Sequence, residues 1–167
     1  FKIFKGSEVD ILPDGSLDYS PEILEKLDYL LISVHSHMTM PKDEMTARIV
    51  KAIKHRGVSC LAHPSGRLVG KRKEFEMDWA SIFETAQKAG IAVEINSHPS
   101  RLDLDEKRAK TAVEMGIPIL INTDAHSPVD MNLMEYGVYV ARRAMLGPEK
   151  ILNTRSVDEI TSWLEER

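Results

Sequence analysis

Cysteine is nearly absent from this chain: Cys60 stands alone among 167 residues. One thiol cannot close an internal disulfide, and it cannot supply the thiolate cluster of a structural zinc or iron–sulfur site. A reducing compartment, and hence a cytoplasmic location, is expected. Long apolar runs are missing too. No stretch approaches the roughly 18 residues of a membrane-spanning helix, so no membrane partner is expected. The opening Phe1-Lys2-Ile3-Phe4-Lys5 is too short and too charged for a secretory leader. It lacks an initiating Met and reads like strand interior, which predicts that the polypeptide extends upstream. An excess of positive charge is also lacking, since the formal net charge is −4. That balance argues against broad electrostatic binding of nucleic acid by this chain alone. A local basic patch, or a basic neighbouring domain, remains compatible with it.

What is present is an alternation of short apolar runs with amphipathic stretches. Strands are expected over residues 8–12, 29–34, 58–62, 91–95 and 117–122, with a weaker one over 136–140. Most are continuous and rich in Val, Ile and Leu, as in strands buried on both faces. Helices are expected between them. Residues 21–26 follow Ser20 and begin with proline. Residues 41–55 carry Met45, Ile49 and Ile53 on one face. Residues 79–89 run from Asp78 to Gly90, and 105–115 end at Gly116. Residues 148–153 and 157–166 close the chain, the last behind a Ser156–Glu159 capping box. The repeated β/α alternation predicts an α/β fold with a parallel sheet, open or closed into a barrel. No internal repeat and no low-complexity linker interrupts it, so residues 1–167 read as a single domain.

The polar residues fall at the strand ends. Glu8 lies in Gly6-Ser7-Glu8-Val9-Asp10, His35 follows Ile32-Ser33-Val34, and His63 follows Leu61-Ala62. Asn96 ends Val93-Glu94-Ile95, and Asp124 and His126 follow Ile121-Asn122-Thr123. From Glu8 to Asp124 these positions are 27 to 33 residues apart, which suits one β/α unit each. In a parallel barrel every strand C-terminus opens on one face, so the five positions converge there. Glu8, His35, His63, Asp124 and His126 are nitrogen and oxygen donors of the kind that zinc, manganese or iron accepts. Imidazole and carboxylate together suit a hydrolytic metal site. A strand-end His taken singly is more often a loop or cap residue, and the argument rests on the set. His37 reads as an exposed or supporting residue beside His35, and His98 could reach the same rim. His55 sits in a helix C-terminal turn, where a cation suits the dipole.

These motifs resemble a known family. Gly6-Ser7-Glu8-Val9-Asp10-Ile11-Leu12-Pro13-Asp14-Gly15, Ser33-Val34-His35-Ser36, Ala62-His63-Pro64 and Ile121-Asn122-Thr123-Asp124-Ala125-His126 are similar, in this order, to the ligand motifs of PHP (polymerase and histidinol phosphatase) domains. Asp14-Gly15-Ser16-Leu17-Asp18-Tyr19, Gly66-Arg67-Leu68, Glu94-Ile95-Asn96, Arg101-Leu102-Asp103-Leu104 and Tyr136-Gly137-Val138 with Ala141-Arg142-Arg143 look like the PHP domain of bacterial family X DNA polymerases. The resemblance implies the C-terminal part of a distorted (β/α)7 TIM-like barrel, with up to three divalent ions, Mn2+ or Zn2+. It implies Glu8 as a bridging ligand, and His35, His63, Asp124 and His126 as terminal ligands. Glu8, Asp124 and His126 would be catalytic.

The activity implied is a manganese-dependent 3′–5′ exonuclease that hydrolyses phosphodiesters with a multi-metal-activated water. Its substrate would be a DNA 3′ end, and its covalent partner an upstream polymerase domain. Arg67 and Arg101 stand just beyond strand ends, where they would hold phosphate oxygens or form surface ion pairs. His37, Asn96 and His98 would support the ligands. The resemblance places the family's opening His-x-His motif, and the ligands and strands around it, upstream of Phe1. A sheet edge left open there would favour a homodimer. A small-molecule phosphatase and a non-catalytic PHP module of a polymerase are the alternatives. An amidohydrolase-type barrel would want a lysine at a strand end, and none is there.

Overall fold

The computed structural model describes residues 2–166. Five short strands carry the apolar runs: β1 (Gly6–Asp10), β2 (Tyr29–Ser33), β3 (Val58–Leu61), β4 (Ala92–Asn96) and β5 (Ile119–Asn122). All pair in parallel, and their spatial order follows their sequence order. That sequential order is the arrangement of a β/α barrel arc; a doubly wound sheet reverses its order at a switch point. The fold is therefore α/β with a five-stranded parallel sheet, a partial barrel among the described residues.

Six helices connect and flank the strands: α1 (Pro21–Leu24), α2 (Lys42–Ile53), α3 (Trp79–Ala89), α4 (Glu106–Glu114), α5 (Met134–Arg143) and α6 (Val157–Glu165). Local chemistry sets several of their ends. The Asp78 side chain accepts from Ala80 N, and Gly90 stops α3 in the left-handed region at φ 69°. Asp105 accepts from the amides of Lys107 and Arg108. Ser156 and Glu159 complete a reciprocal capping box at α6. Ser20, the expected cap of α1, makes no side-chain cap bond, and that helix stops after one turn.

The alternation of side chains sorts the strands onto two faces. Leu30, Ile32, Val93, Ile95, Ile119 and Ile121 join one cluster with Met45, Ile49 and Ile53 of α2 and Ile82 and Phe83 of α3. Cys60, Ala92 and Leu120 point the other way, toward Leu152 and the α6 residues Ile160 and Trp163. The sheet is thus covered on both faces, as its apolar runs require. Arg48 of α2, only 2% exposed, ties the rim together. Its guanidinium donates to the carbonyls of Leu12 and Ser36, each at 3.0 Å, and to that of Ile11.

Three expectations are corrected. Residues 2–5 form no strand, and β1 begins at Gly6; Phe1 lies outside the described residues. Residues 136–140 are helical, within α5, because Gly137, Val140 and Ala141 are its buried positions, spaced three and four apart. At Gly137 the helix lies so close to the sheet that a Cβ would stand 2.1 Å from Ser97 Oγ and 2.5 Å from Ile121 Cγ2. Residues 148–153 are not one helix but two short 3-10 turns, Pro148–Lys150 and Leu152–Thr154. Between them Ile151 is extended and forms a parallel bridge with Ile119. The Asn153 amide brackets Ile121, accepting from its N–H at 2.8 Å and donating to its carbonyl at 2.9 Å. The outer edge of β5 is therefore partly occupied by the chain itself.

Gly137→Ala gains helix propensity of up to about 1 kcal/mol but meets this contact, and overpacking costs about 1–3 kcal/mol. The expected result is a net destabilisation of about 1–2 kcal/mol, read as a lower urea midpoint at unchanged m-value.

Candidate metal centre

Three successive strands bring their polar residues together here. Glu8 on β1 points its carboxylate at two imidazoles, with Oε1 2.8 Å from His63 Nε2 and 3.3 Å from His35 Nε2. One donor atom from each of the three residues lies within 4.8 Å of the other two. The rings of His35 and His63 are 5.1 Å apart at 59°. Asp10, two residues along β1, bonds His35 Nδ1 through its carboxylate, and Ser33 Oγ approaches the same nitrogen at 3.2 Å. Glu8 is exposed as a residue, yet the partial burial of its carboxylate pushes its pKa up. The hydrogen bonds from His35 and His63 and the His63 charge outweigh that and hold it well below the usual carboxylate range. For His35 the Glu8 hydrogen bond dominates over burial, and with Asp10 it raises the imidazole above its ordinary value. A carboxylate held ionised between imidazoles is a donor set that divalent cations accept.

Beneath this cluster lies a buried carboxylate. Glu94 sits midway along β4, between β3 and β5, and is 2% exposed. Its Oε2 accepts from the His63 backbone N–H at 2.6 Å and from Asn96 Nδ2 at 3.2 Å. Its Oε1 accepts from Asn122 Nδ2 at 2.8 Å. Asn96 passes its other amide contact to Asp124 Oδ2 at 3.2 Å. Glu94 thus links the ends of β3, β4 and β5, and Asn96 extends the link to Asp124. His63 at φ 28° and Asp124 at φ 53° both adopt the left-handed region, which costs residues other than Gly of order 1–3 kcal/mol each. That cost is carried by the network fastening the two loops. Asp103, 1% exposed, fastens another: its Oδ2 accepts from Ser65 N and Ser65 Oγ, each at 2.8 Å.

The other expected site residues stand around this centre. The Asp124 carboxylate faces Arg101, whose Nε donates to Oδ2 at 3.0 Å. His126 is 85% exposed, and its Nδ1 lies 2.8 Å from the Asp124 carbonyl. His98 turns along its own loop, its backbone N–H donating to Asn96 Oδ1 at 3.0 Å and its Nδ1 2.7 Å from Ser100 Oγ. His37 is exposed at φ 51°. The Arg67 guanidinium donates to the carbonyls of Arg101, at 2.8 Å, and Leu102. So Glu8, His35 and His63 come together, Asp124 and Asn96 are connected to them through Glu94, and His126, His98 and His37 lie further out. Sequence reasoning missed Asp10, Glu94 and Asp103. For Glu94 a signal existed, because a carboxylate inside an otherwise apolar strand must find donors.

The architecture defines a class: a parallel α/β protein whose strand C-termini gather carboxylate and imidazole into a candidate metal centre. No family model matches the chain. It is similar to the DNA polymerase/3′-5′ exonuclease PolX of Bacillus subtilis, 38% identical over 165 residues, 99% of this chain and 29% of that protein. It is also similar to the probable phosphatase Teth514_1060 of a Thermoanaerobacter species, 32% identical over 176 residues, 99% of this chain and 69% of that protein. A probable phosphatase of Caldanaerobacter subterraneus is 28% identical over 176 residues, which cover 66% of it. The chain belongs to the PHP family of phosphoesterases. It spans under a third of the polymerase and about two thirds of the phosphatases.

Burial pushes the Glu94 pKa up to about 7, against the pull of the His63 charge and the three hydrogen bonds. The folded value lies above the ordinary 4.5, so the folded state binds the proton more tightly than the unfolded state. Glu94 therefore contributes most stability below about pH 4.5, and that contribution falls as pH rises toward 7. In EDTA, Glu94→Gln should flatten the decline in urea midpoint between pH 5 and pH 7.5. An unchanged slope would mean that Glu94 ionises in the folded protein as it does in the unfolded chain.

Proposed function

We propose that this chain is the metal-dependent hydrolytic domain of a DNA 3′-end-processing enzyme of the family X polymerase type. In this reading it removes nucleotides 3′ to 5′ and works in the cytoplasm, with a polymerase domain as its covalent partner and a DNA 3′ end as its substrate. The observation that carries the reading is the meeting of Glu8, midway along β1, with His35 and His63, which follow the ends of β2 and β3. The 38% identity to a protein named as both polymerase and exonuclease supports DNA as the substrate.

The donor set fits a divalent ion. An ionised carboxylate oxygen and two imidazoles face one point, and no lysine or arginine competes for Glu8 among the described residues. Glu8, His35 and His63 would hold the first ion, Mn2+ or Zn2+. Asp124 and His126 would contribute to further ions, up to three, once Asp124 leaves Arg101. An ion held there supplies Lewis acidity toward a phosphoryl oxygen and toward water. The protein's own part is positional. Glu94 fixes the His63 backbone, Asp10 and Ser33 orient the His35 ring, and Asn96 steers the Asp124 carboxylate. Arg101, released from Asp124, would present its guanidinium to a phosphate oxygen. Arg67, bonded to the carbonyls of residues 101 and 102, would hold that loop in place behind it. His37 and His98 line the outer rim.

The phosphatase names of several relatives favour a second reading, hydrolysis of a small phosphomonoester at the same centre. The two part on substrate. An oligonucleotide with a 3′ hydroxyl should be shortened in Mn2+ under the first reading and left intact under the second.

His63→Ala and Asp124→Ala should each lower phosphodiester hydrolysis by at least about 100-fold. His63→Ala should also lower bound metal, measured by elemental analysis, while circular dichroism stays unchanged. Chelation with EDTA should abolish wild-type turnover, and added Mn2+ should restore it. Turnover that survives both substitutions would remove the metal-centre reading.

A further inference from the structure

The acidic chain carries one concentrated basic element, and it stands on the rim of the candidate centre. Residues 67–73 read Arg-Leu-Val-Gly-Lys-Arg-Lys, four cations with no carboxylate, in a chain of net charge −4. They form a small hairpin. Leu68 N donates to Arg72 O at 2.9 Å, and Arg72 N donates to Leu68 O at 2.8 Å. Gly70 takes the turn at φ 74°.

The hairpin is braced at three points. Arg72 donates to the Gly66 carbonyl through Nε at 2.9 Å and through a second nitrogen at 2.7 Å. Val69 N donates to Ser100 O at 2.6 Å, and Arg67 holds the carbonyls of residues 101 and 102. It is thus fixed to the loop that carries Arg101, which itself sits 3.0 Å from Asp124. Burial, and after it the charge of Arg101, hold the Arg72 pKa below its ordinary value, so the two guanidinium groups feel each other.

The lysines lack a counter-ion among the described residues. Lys71 and Lys73 are exposed, and no carboxylate among the described residues pairs with either. The adjacent carboxylate is already taken. Glu74 is held by both terminal nitrogens of Arg108, each at 2.7 Å, while Arg108 also binds Asp105 and lies over Trp79. A rigid, uncompensated basic ridge beside an anion-processing centre calls for several phosphates in a row. A single small monoester sitting at Glu8, His35 and His63 would leave the lysines unused.

We infer that the 67–73 hairpin is a rail for the phosphate backbone of a polynucleotide strand whose end lies in the metal centre, with Lys71 and Lys73 as its phosphate contacts. The inference rests on the phosphoesterase reading for its function but is tested through binding. The double variant Lys71→Gln/Lys73→Gln keeps every brace described above. Its control is Lys54→Gln/Lys88→Gln, which removes equal charge at the far ends of α2 and α3.

The probe is a fluorescein-labelled 12-nucleotide single strand, followed by anisotropy in EDTA from 50 to 200 mM salt. The rail variant should bind about tenfold more weakly at 50 mM salt, with a salt slope shallower by about 1.4, or 0.7 for each lost contact. The control should bind like the wild type. Hydrolysis of bis(p-nitrophenyl) phosphate in Mn2+, a diester with no polynucleotide backbone for the rail to hold, should be equal in all three proteins. Wild-type binding by the rail variant, no binding by the wild type, or equal losses in rail and control variants would overturn the rail. Loss of small-diester hydrolysis together with strand binding would overturn it as well, as local damage to the centre. A wild type that binds the strand through these lysines yet hydrolyses neither substrate would uphold the rail and remove the phosphoesterase reading instead.

Discussion

Three strand ends are tied to one another through a single buried carboxylate. Glu94 accepts the His63 amide, the Asn96 side chain and the Asn122 side chain, and so it joins the termini of β3, β4 and β5. Taking a carboxylate out of water is costly, and only such a ring of donors makes it tolerable. In return the His63 loop and the Asp124 loop are held in left-handed backbone conformations that neither would keep alone. The placement of His63 against Glu8, and with it the geometry of the candidate centre, depends on this network.

Around that anchor the charges are layered. At the centre, Glu8 and Asp10 face two imidazoles, an arrangement ready to accept cations. One step out, Arg101 neutralises Asp124. Beyond it the 67–73 hairpin adds exposed lysines. The acidic total of the chain hides this order, because formal charge sums over a surface on which opposite signs are kept apart. On the proposed reading, a candidate metal centre flanked by a basic ridge would suit an anionic polymer in the same way that it would suit a phosphoester.

Much of the fold was legible in the chain. The Val-, Ile- and Leu-rich runs form the strands, and the regular spacing of Glu8 within the first run and of His35 and His63 after the next two brings them together. The stretch Tyr136-Gly137-Val138-Tyr139-Val140 misled, because its β-branched and aromatic residues favour a strand locally. Its buried positions follow a helical spacing that shows only against Ser97 and Ile121. Ile151 misled in the opposite direction, since a short apolar residue between turns gives no sign of its bridge to Ile119.

The sequence by itself determined the class of fold, the family and the residue types at the strand ends, because hydrophobic period and strand-end spacing are local properties of the chain. Only the tertiary structure decided that Glu94 reaches the amide of His63, 31 residues away, and that Arg101 occupies Asp124. It also decided that Glu74 turns to Arg108 and leaves Lys71 and Lys73 free of carboxylates among the described residues. Those outcomes depend on which loops the sheet sets side by side. Pairs within one helical turn, such as Arg108 with Asp105, follow from spacing along the chain, but these long-range pairings are fixed only by proximity in space.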